Sequence, residues 1–155
     1  MRGLFIVAVV ALLAAPSRAG EPDAASLIDL QGGGFIFNYN IGEVFYGVLV
    51  KPRRALPVGT EIEARFEDPA GGPPIVVTET FRGSPRPISL RTPPVQGVVA
   101  NRDYRVTIRL RDASGALLGE TARTFRSDLD QSILPSHRLT VGPGYQPAPP
   151  EPKPE

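Results

Sequence analysis

The 155-residue chain has no cysteine, no tryptophan, one methionine and one histidine. Each absence removes a chemistry. Without cysteine there is no thiol nucleophile, no iron–sulfur cluster, no thiolate zinc site and no disulfide. The lipid-modified cysteine of a bacterial lipoprotein is excluded on the same ground. A single histidine, His137, cannot build a multi-histidine zinc site. A Ser-His-Asp triad needs only one histidine, but it also needs a serine within hydrogen-bond reach and an oxyanion hole. The neighbour of His137 is Ser136, and no Gly-x-Ser-x-Gly elbow occurs. His137 reads as an exposed loop residue. The sequence therefore nominates no catalytic residue, no metal site and no cofactor, and the chain is read as non-enzymatic.

Long apolar runs are scarce too. Leu4 to Ala15 is the longest stretch, twelve residues, short of the ~20 that a spanning helix needs. Met1-Arg2-Gly3 precedes it with a positive charge, Pro16 and Arg18 close it, and Ser17 and Ala19 place small residues at −3 and −1 of a cut. These are the three regions of a secretory signal peptide. The sequence predicts a leader over residues 1–19, cleavage after Ala19, and a periplasmic or secreted protein that does not span the membrane once processed. Arg2 and Arg18 leave with the leader, so the formal charge falls from +1 to −1. A near-neutral chain has no global field to hold polyanions, and nucleic-acid binding is not expected.

Proline (18) and glycine (16) are plentiful, and they divide the rest into short segments. Residues 20–25 form a polar lead-in. Residues 142–155 hold six prolines and almost nothing apolar, so an extended, unpacked tail is expected there. Residues 26–141 are one domain. Within it Tyr104, Val106, Ile108 and Leu110 alternate with Arg105, Thr107, Arg109 and Arg111, the period of a strand with one buried face. Ile62, Ala64 and Phe66 alternate with Glu61, Glu63, Arg65 and Glu67. Val44 to Val50 is continuously apolar and reads as a central strand. Further strands are expected at 26–30, 35–39, 75–81, 88–90, 117–125 and 138–141. Turns are expected at Gly32-Gly33-Gly34, Pro57-Val58-Gly59, residues 69–74, Pro93-Pro94 and residues 112–115. No window has helical periodicity, although residues 127–134 could form a helical turn with Ser127 as N-cap. Strands at this spacing without helices predict an all-β, antiparallel sandwich of seven to nine strands.

The segment from Tyr104 to Phe125 reads as a hairpin closed by Asp112-Ala113-Ser114-Gly115, with a tyrosine opening its first strand. It resembles the last hairpin of immunoglobulin-like and fibronectin type III-like sandwiches, where a tyrosine corner sits near the start of strand F. The Cys…Trp…Cys hallmark of antibody domains is absent. The resemblance implies a fold and no function.

Two groups of side chains remain. Under that resemblance, strands C and F are neighbours, so Glu61, Glu63 and Glu67 would face Arg105, Arg109 and Arg111 as structural ion pairs. Aromatics are the better functional lead. Phe35, Phe37 and Tyr39 fall on one strand face by alternation, and Phe45 and Tyr46 follow. Aromatic faces hold sugar rings and Pro-rich peptides. Tyr39 and Tyr46 have hydroxyls to keep solvated and are expected at the surface, which makes Phe35, Tyr39 and Tyr46 the candidate binding residues. Asp128 and Asp130 do not match a calcium loop and read as a polar turn. The sequence points to a non-catalytic module that docks another cell-envelope protein through a sheet face or an added edge strand. A polysaccharide is the second candidate partner, and a hydrolase the third reading.

Overall fold

A computed structural model describes residues 23–144 and 146–149; the leader and residues 150–155 lie outside the described residues. Among the described residues nine strands follow in chain order: β1 (Ile28–Asn38), β2 (Glu43–Pro52), β3 (Glu61–Phe66), β4 (Ile75–Thr80), β5 (Ile88–Arg91), β6 (Asp103–Arg111), β7 (Leu117–Arg126), β8 (Thr140–Val141) and β9 (Gln146–Pro147). One sheet has the order β1-β2-β5 and another the order β4-β3-β6-β7; β8 and β9 form a short ribbon. Every strand pairing is antiparallel. The described chain is all-β, as its alternating segments require.

The two main sheets bury their apolar faces against each other. Tyr104, Val106, Ile108 and Leu110 of β6 are all at most 1% exposed, and Ile62, Ala64 and Phe66 of β3 are fully covered. From the other sheet come Val44, Tyr46, Val48, Val50 and Leu90. Each large side chain so buried contributes about 1.5–3 kcal/mol relative to exposure. The sheets are also joined by a hydrogen bond: the Tyr46 hydroxyl donates to the Tyr104 carbonyl at 3.0 Å. The Tyr104 hydroxyl in turn accepts from the Val99 N–H at 2.8 Å, five residues upstream. Ala24, in a short 3-10 turn (Ala24–Ser26), plugs one side of the core against β7.

Three expected boundaries differ. The segments expected at 26–30 and 35–39 are one strand, and Gly32-Gly33-Gly34 runs inside it rather than turning; the register slips by one residue between Leu30 and Gly32. Gly33 needs the missing side chain, because a Cβ there would stand 2.7 Å from both the Gly47 carbonyl and the Phe125 ring. The helical turn after β7 covers only Gln131–Ile133, and its N-cap is Asp130, which accepts from the Ser132 N–H at 3.0 Å. Ser127 instead donates its hydroxyl to the Leu129 carbonyl, so its oxygen is engaged in a local turn. Finally, β9 lies within the expected tail, and Ala148 donates to the Leu139 carbonyl at 2.8 Å, so pairing extends past residue 141.

The β6–β7 turn is held by one carboxylate. Asp112 Oδ1 accepts from the Ser114 hydroxyl at 2.6 Å, the Ser114 N–H at 2.8 Å and the Ala116 N–H at 2.9 Å. The Ser114 hydroxyl bond, aided by the backbone donors, holds the Asp112 carboxyl below the usual carboxylate range. A depressed folded-state pKa contributes stability that is present at neutral pH and is lost as pH falls through that folded value. Asp112→Asn should therefore be less acid-sensitive than the parent. Melting temperatures recorded from pH 7 down to about pH 2 should converge for the two proteins below about pH 4. A constant offset across that range would refute the role given to Asp112.

Candidate functional site

The aromatic residues expected to form a platform do not share a surface. Tyr46 is fully buried, which corrects its expected exposure. Its ring stacks on Phe35 at 4.2 Å and meets Phe66 edge-on at 4.9 Å. Its hydroxyl needs no water because the Tyr104 carbonyl accepts it. Burial, reinforced by the Glu67 carboxylate and the Tyr104 hydroxyl, pushes that phenol well above its ordinary range. Phe35 also packs on the core, edge-on to Tyr104 at 4.9 Å. Tyr39 lies just past the end of β1 and is 46% exposed. Of the three, Tyr39 is the exposed one, and Phe35 is half-buried and reaches a trough on the outer face of β1-β2-β5.

The charged residues of β3 and β6 are placed by register. Glu61 stands opposite Arg111 and Glu63 opposite Arg109. The Glu67 N–H donates to the Arg105 carbonyl at 2.8 Å, and its carboxylate accepts from the Arg105 N–H at 3.0 Å. The ion contacts run partly to other partners. Glu67 pairs with Arg102 at 2.9 Å, Glu63 lies 3.5 Å from Arg65, and the Arg109 Nε donates to Glu120 on β7. Arg102 also lies over the Tyr104 ring at 4.8 Å. These groups brace one sheet face, although the buried Glu63 Oε1 has an ion contact to Arg65 and no hydrogen bond.

One surface with unfilled capacity is the outward face of β1-β2-β5. Alternation along β2 sends Val44, Tyr46, Val48 and Val50 inward and Phe45, Gly47 and Leu49 outward. In register, Ile36 flanks Phe45, Gly34 flanks Gly47, and Gly32 flanks Leu49; on the other side Arg91 flanks Gly47 and Ser89 flanks Leu49. Gly32, Gly34 and Gly47 therefore take neighbouring outward positions, and Gly34 and Gly47, with Gly33 beside them, line the trough, of about 230 Å³. Ile36 (52% exposed) and Leu49 (38%) form apolar walls. The Arg91 guanidinium sits over the Phe45 ring, 4.6 Å from its centroid. A Cβ at Gly34, or at Gly32 beside Leu49, would meet nothing within 4 Å, so the face is open along this row. The face offers apolar contact, backbone polar groups and one cation.

The apolar run Val44 to Val50 reads from sequence as a central strand with Tyr46 exposed; the structure turns Tyr46 inward and presents Phe45, Gly47 and Leu49 instead. The signal was present in the three glycines, which register pairing lines up across two strands. Elsewhere, the Ser136 hydroxyl lies 3.4 Å from His137 Nδ1. Among the described residues, no three histidine or carboxylate side chains cluster as metal ligands. No helix there is long and apolar enough to cross a membrane.

No family model and no curated protein matches the chain. Among solved structures it is similar to an endonuclease/exonuclease/phosphatase from Beutenbergia cavernae DSM 12333, at 17% identity and a TM-score of 0.33. That match covers 54% of this chain and 23% of the other, so the chain spans under a quarter of that protein's length. Such a likeness assigns no activity to this chain.

Proposed function

We propose that the protein is a non-catalytic, exported binding module of fibronectin type III-like architecture that docks another cell-envelope protein. The strand orders β1-β2-β5 and β4-β3-β6-β7 support the architecture. So does the tyrosine at the start of β6, whose hydroxyl bonds backbone five residues upstream in the manner of a tyrosine corner. The fourth strand joins β3 rather than β5, unlike the constant-type immunoglobulin arrangement. Residues 1–19 support export to the periplasm or beyond.

The observation that carries the binding reading is the glycine-floored trough walled by Ile36 and Leu49. Apolar anchors around a pocket are the usual centre of a protein interface. A partner side chain entering the trough would be desolvated by Ile36 and Leu49 and oriented by Arg91. A sugar ring would rest on fewer groups, since Tyr46 is enclosed and Tyr39 lies at the strand end.

In vivo crosslinking in the envelope, followed by co-purification, tests this. One envelope protein should be recovered with the parent, and recovery should fall tenfold or more with Leu49→Glu or Gly32→Leu. Both changes point to open surface and should leave the melting temperature within about 2 °C of the parent. Full recovery with both variants would remove this face from the interface. Saturable binding of polysaccharide fragments that Tyr39→Ala abolishes would replace the docking reading.

A further inference from the structure

The near-zero net charge hides a segregated field. At the end of β2 away from the β1–β2 turn, two connections meet. The first, entering β3 from the end of β2, carries Arg53 and Arg54 beside Lys51 of β2, with no acid between residues 51 and 60. The second, from β4 to β5, carries Arg82 and Arg86 and no acid between residues 81 and 87. Backbone bonds clamp them together: Gly59 donates to the Phe81 carbonyl at 2.9 Å and Phe81 to the Thr60 carbonyl at 2.8 Å. A Cβ on Gly83 would stand 3.2 Å from the Val58 methyl, so the loops touch at their tips as well. All five cations are exposed, and none forms an ion pair among the described residues. The carboxylates flanking this end are Asp29, in register with Lys51, and Glu61 and Glu79, at the adjoining strand ends.

The patch is also apolar at its tip. Val58 is 71% exposed and is flanked by Pro57. Behind it lies a hollow of about 380 Å³ lined by Arg53, Arg54, Leu56, Phe81 and Pro85. We propose that this end of the sandwich rests on a bilayer surface rich in anionic phospholipid, with Val58 entering the interface and the arginines at the phosphate level. Guanidinium forks match phosphate oxygens bidentately. Their stems lie along apolar surface while the charged heads stay with the phosphates. A protruding valine beside an apolar-walled hollow fits acyl chains, whereas a soluble polyanion would leave both in water. The contact is peripheral and independent of the docking face on β1-β2-β5.

The test uses the chain from Gly20 onward, which holds every described residue and lacks the apolar leader. It should sediment with vesicles of phosphatidylglycerol mixed equally with phosphatidylcholine, and not with phosphatidylcholine alone. A cation near an anionic leaflet contributes about 1 kcal/mol, about fivefold in partitioning. Arg53→Gln/Arg54→Gln should therefore weaken binding about 25-fold, and Arg126→Gln, outside the patch, should not change it. Val58→Asp should weaken binding at least tenfold without changing the melting temperature. Equal binding to neutral vesicles, or indifference to the double arginine variant, would overturn the proposal. Retained binding by Val58→Asp together with full displacement by inorganic polyphosphate would also overturn it, in favour of a soluble polyanion.

Discussion

Tyr46→Ala should destabilise the protein by about 3–5 kcal/mol, the range for removing a large buried aromatic. That is a large share of the ~5–15 kcal/mol that stabilises a typical domain, so the variant should unfold at a markedly lower urea concentration than the parent. The ring sits at the centre of an aromatic cluster, against Phe35, Phe66, Tyr104 and Phe125. Its removal leaves a cavity bordered by both sheets. It also leaves the Tyr104 carbonyl without the hydroxyl that now donates to it. Tyr46→Phe separates the two effects: it keeps the packing and should cost about 1 kcal/mol. Tyr39→Ala, at an exposed position, should cost less than about 0.5 kcal/mol. Urea unfolding followed by far-UV circular dichroism ranks the three. A Tyr46→Ala protein as stable as Tyr39→Ala would contradict the buried placement of this ring.

The second large effect is expected where β7 meets the turn that precedes β1. Gly119 lies in β7 where the 3-10 turn at Ala24 packs against it. A Cβ at 119 would stand 2.7 Å from the Ala24 nitrogen and 2.9 Å from its Cα. Those are backbone atoms and cannot rotate away. Gly119→Val should therefore displace the turn or bend β7, at a cost of about 1–3 kcal/mol. Ala24 is itself fully buried, so its displacement would also expose core. Limited proteolysis should show faster cleavage between residues 23 and 28 in Gly119→Val than in the parent. Unchanged cleavage and stability would show that the turn does not depend on this contact.

How much of this could be read from the sequence differs by element. The strand at Tyr104 to Arg111 was legible because one face is apolar and the other is charged, so period two alone fixes its orientation. The opposition of Glu63 to Arg109 followed from placing that strand beside Glu61 to Glu67. Val44 to Val50 resisted the same reading. Both of its faces are apolar, so alternation cannot say which one is covered, and the hydroxyl of Tyr46 makes it read as the exposed member. Only the sheet pairing shows that a carbonyl of the facing sheet satisfies that hydroxyl. Gly32-Gly33-Gly34 has the composition of a turn, yet its glycines serve close approach to Phe125 and an open trough. The cationic end was invisible to a net-charge argument, because summing the charges discards where the loops bring them.

The pairing of β3 with β6 has a kinetic consequence. Glu61 meets Arg111 and Phe66 meets Val106, contacts between residues far apart in the chain. The hairpins β1–β2 and β6–β7 join neighbours through short turns and can form early, on the microsecond scale of isolated hairpins. The central β3–β6 ladder must wait until a long loop has closed, and its entropy is lost before the ladder's contacts form. Chains dominated by such pairings fold in milliseconds to seconds. Until that ladder closes, both hairpins expose their apolar faces, so the slow step of folding is also the period of greatest exposure to aggregation.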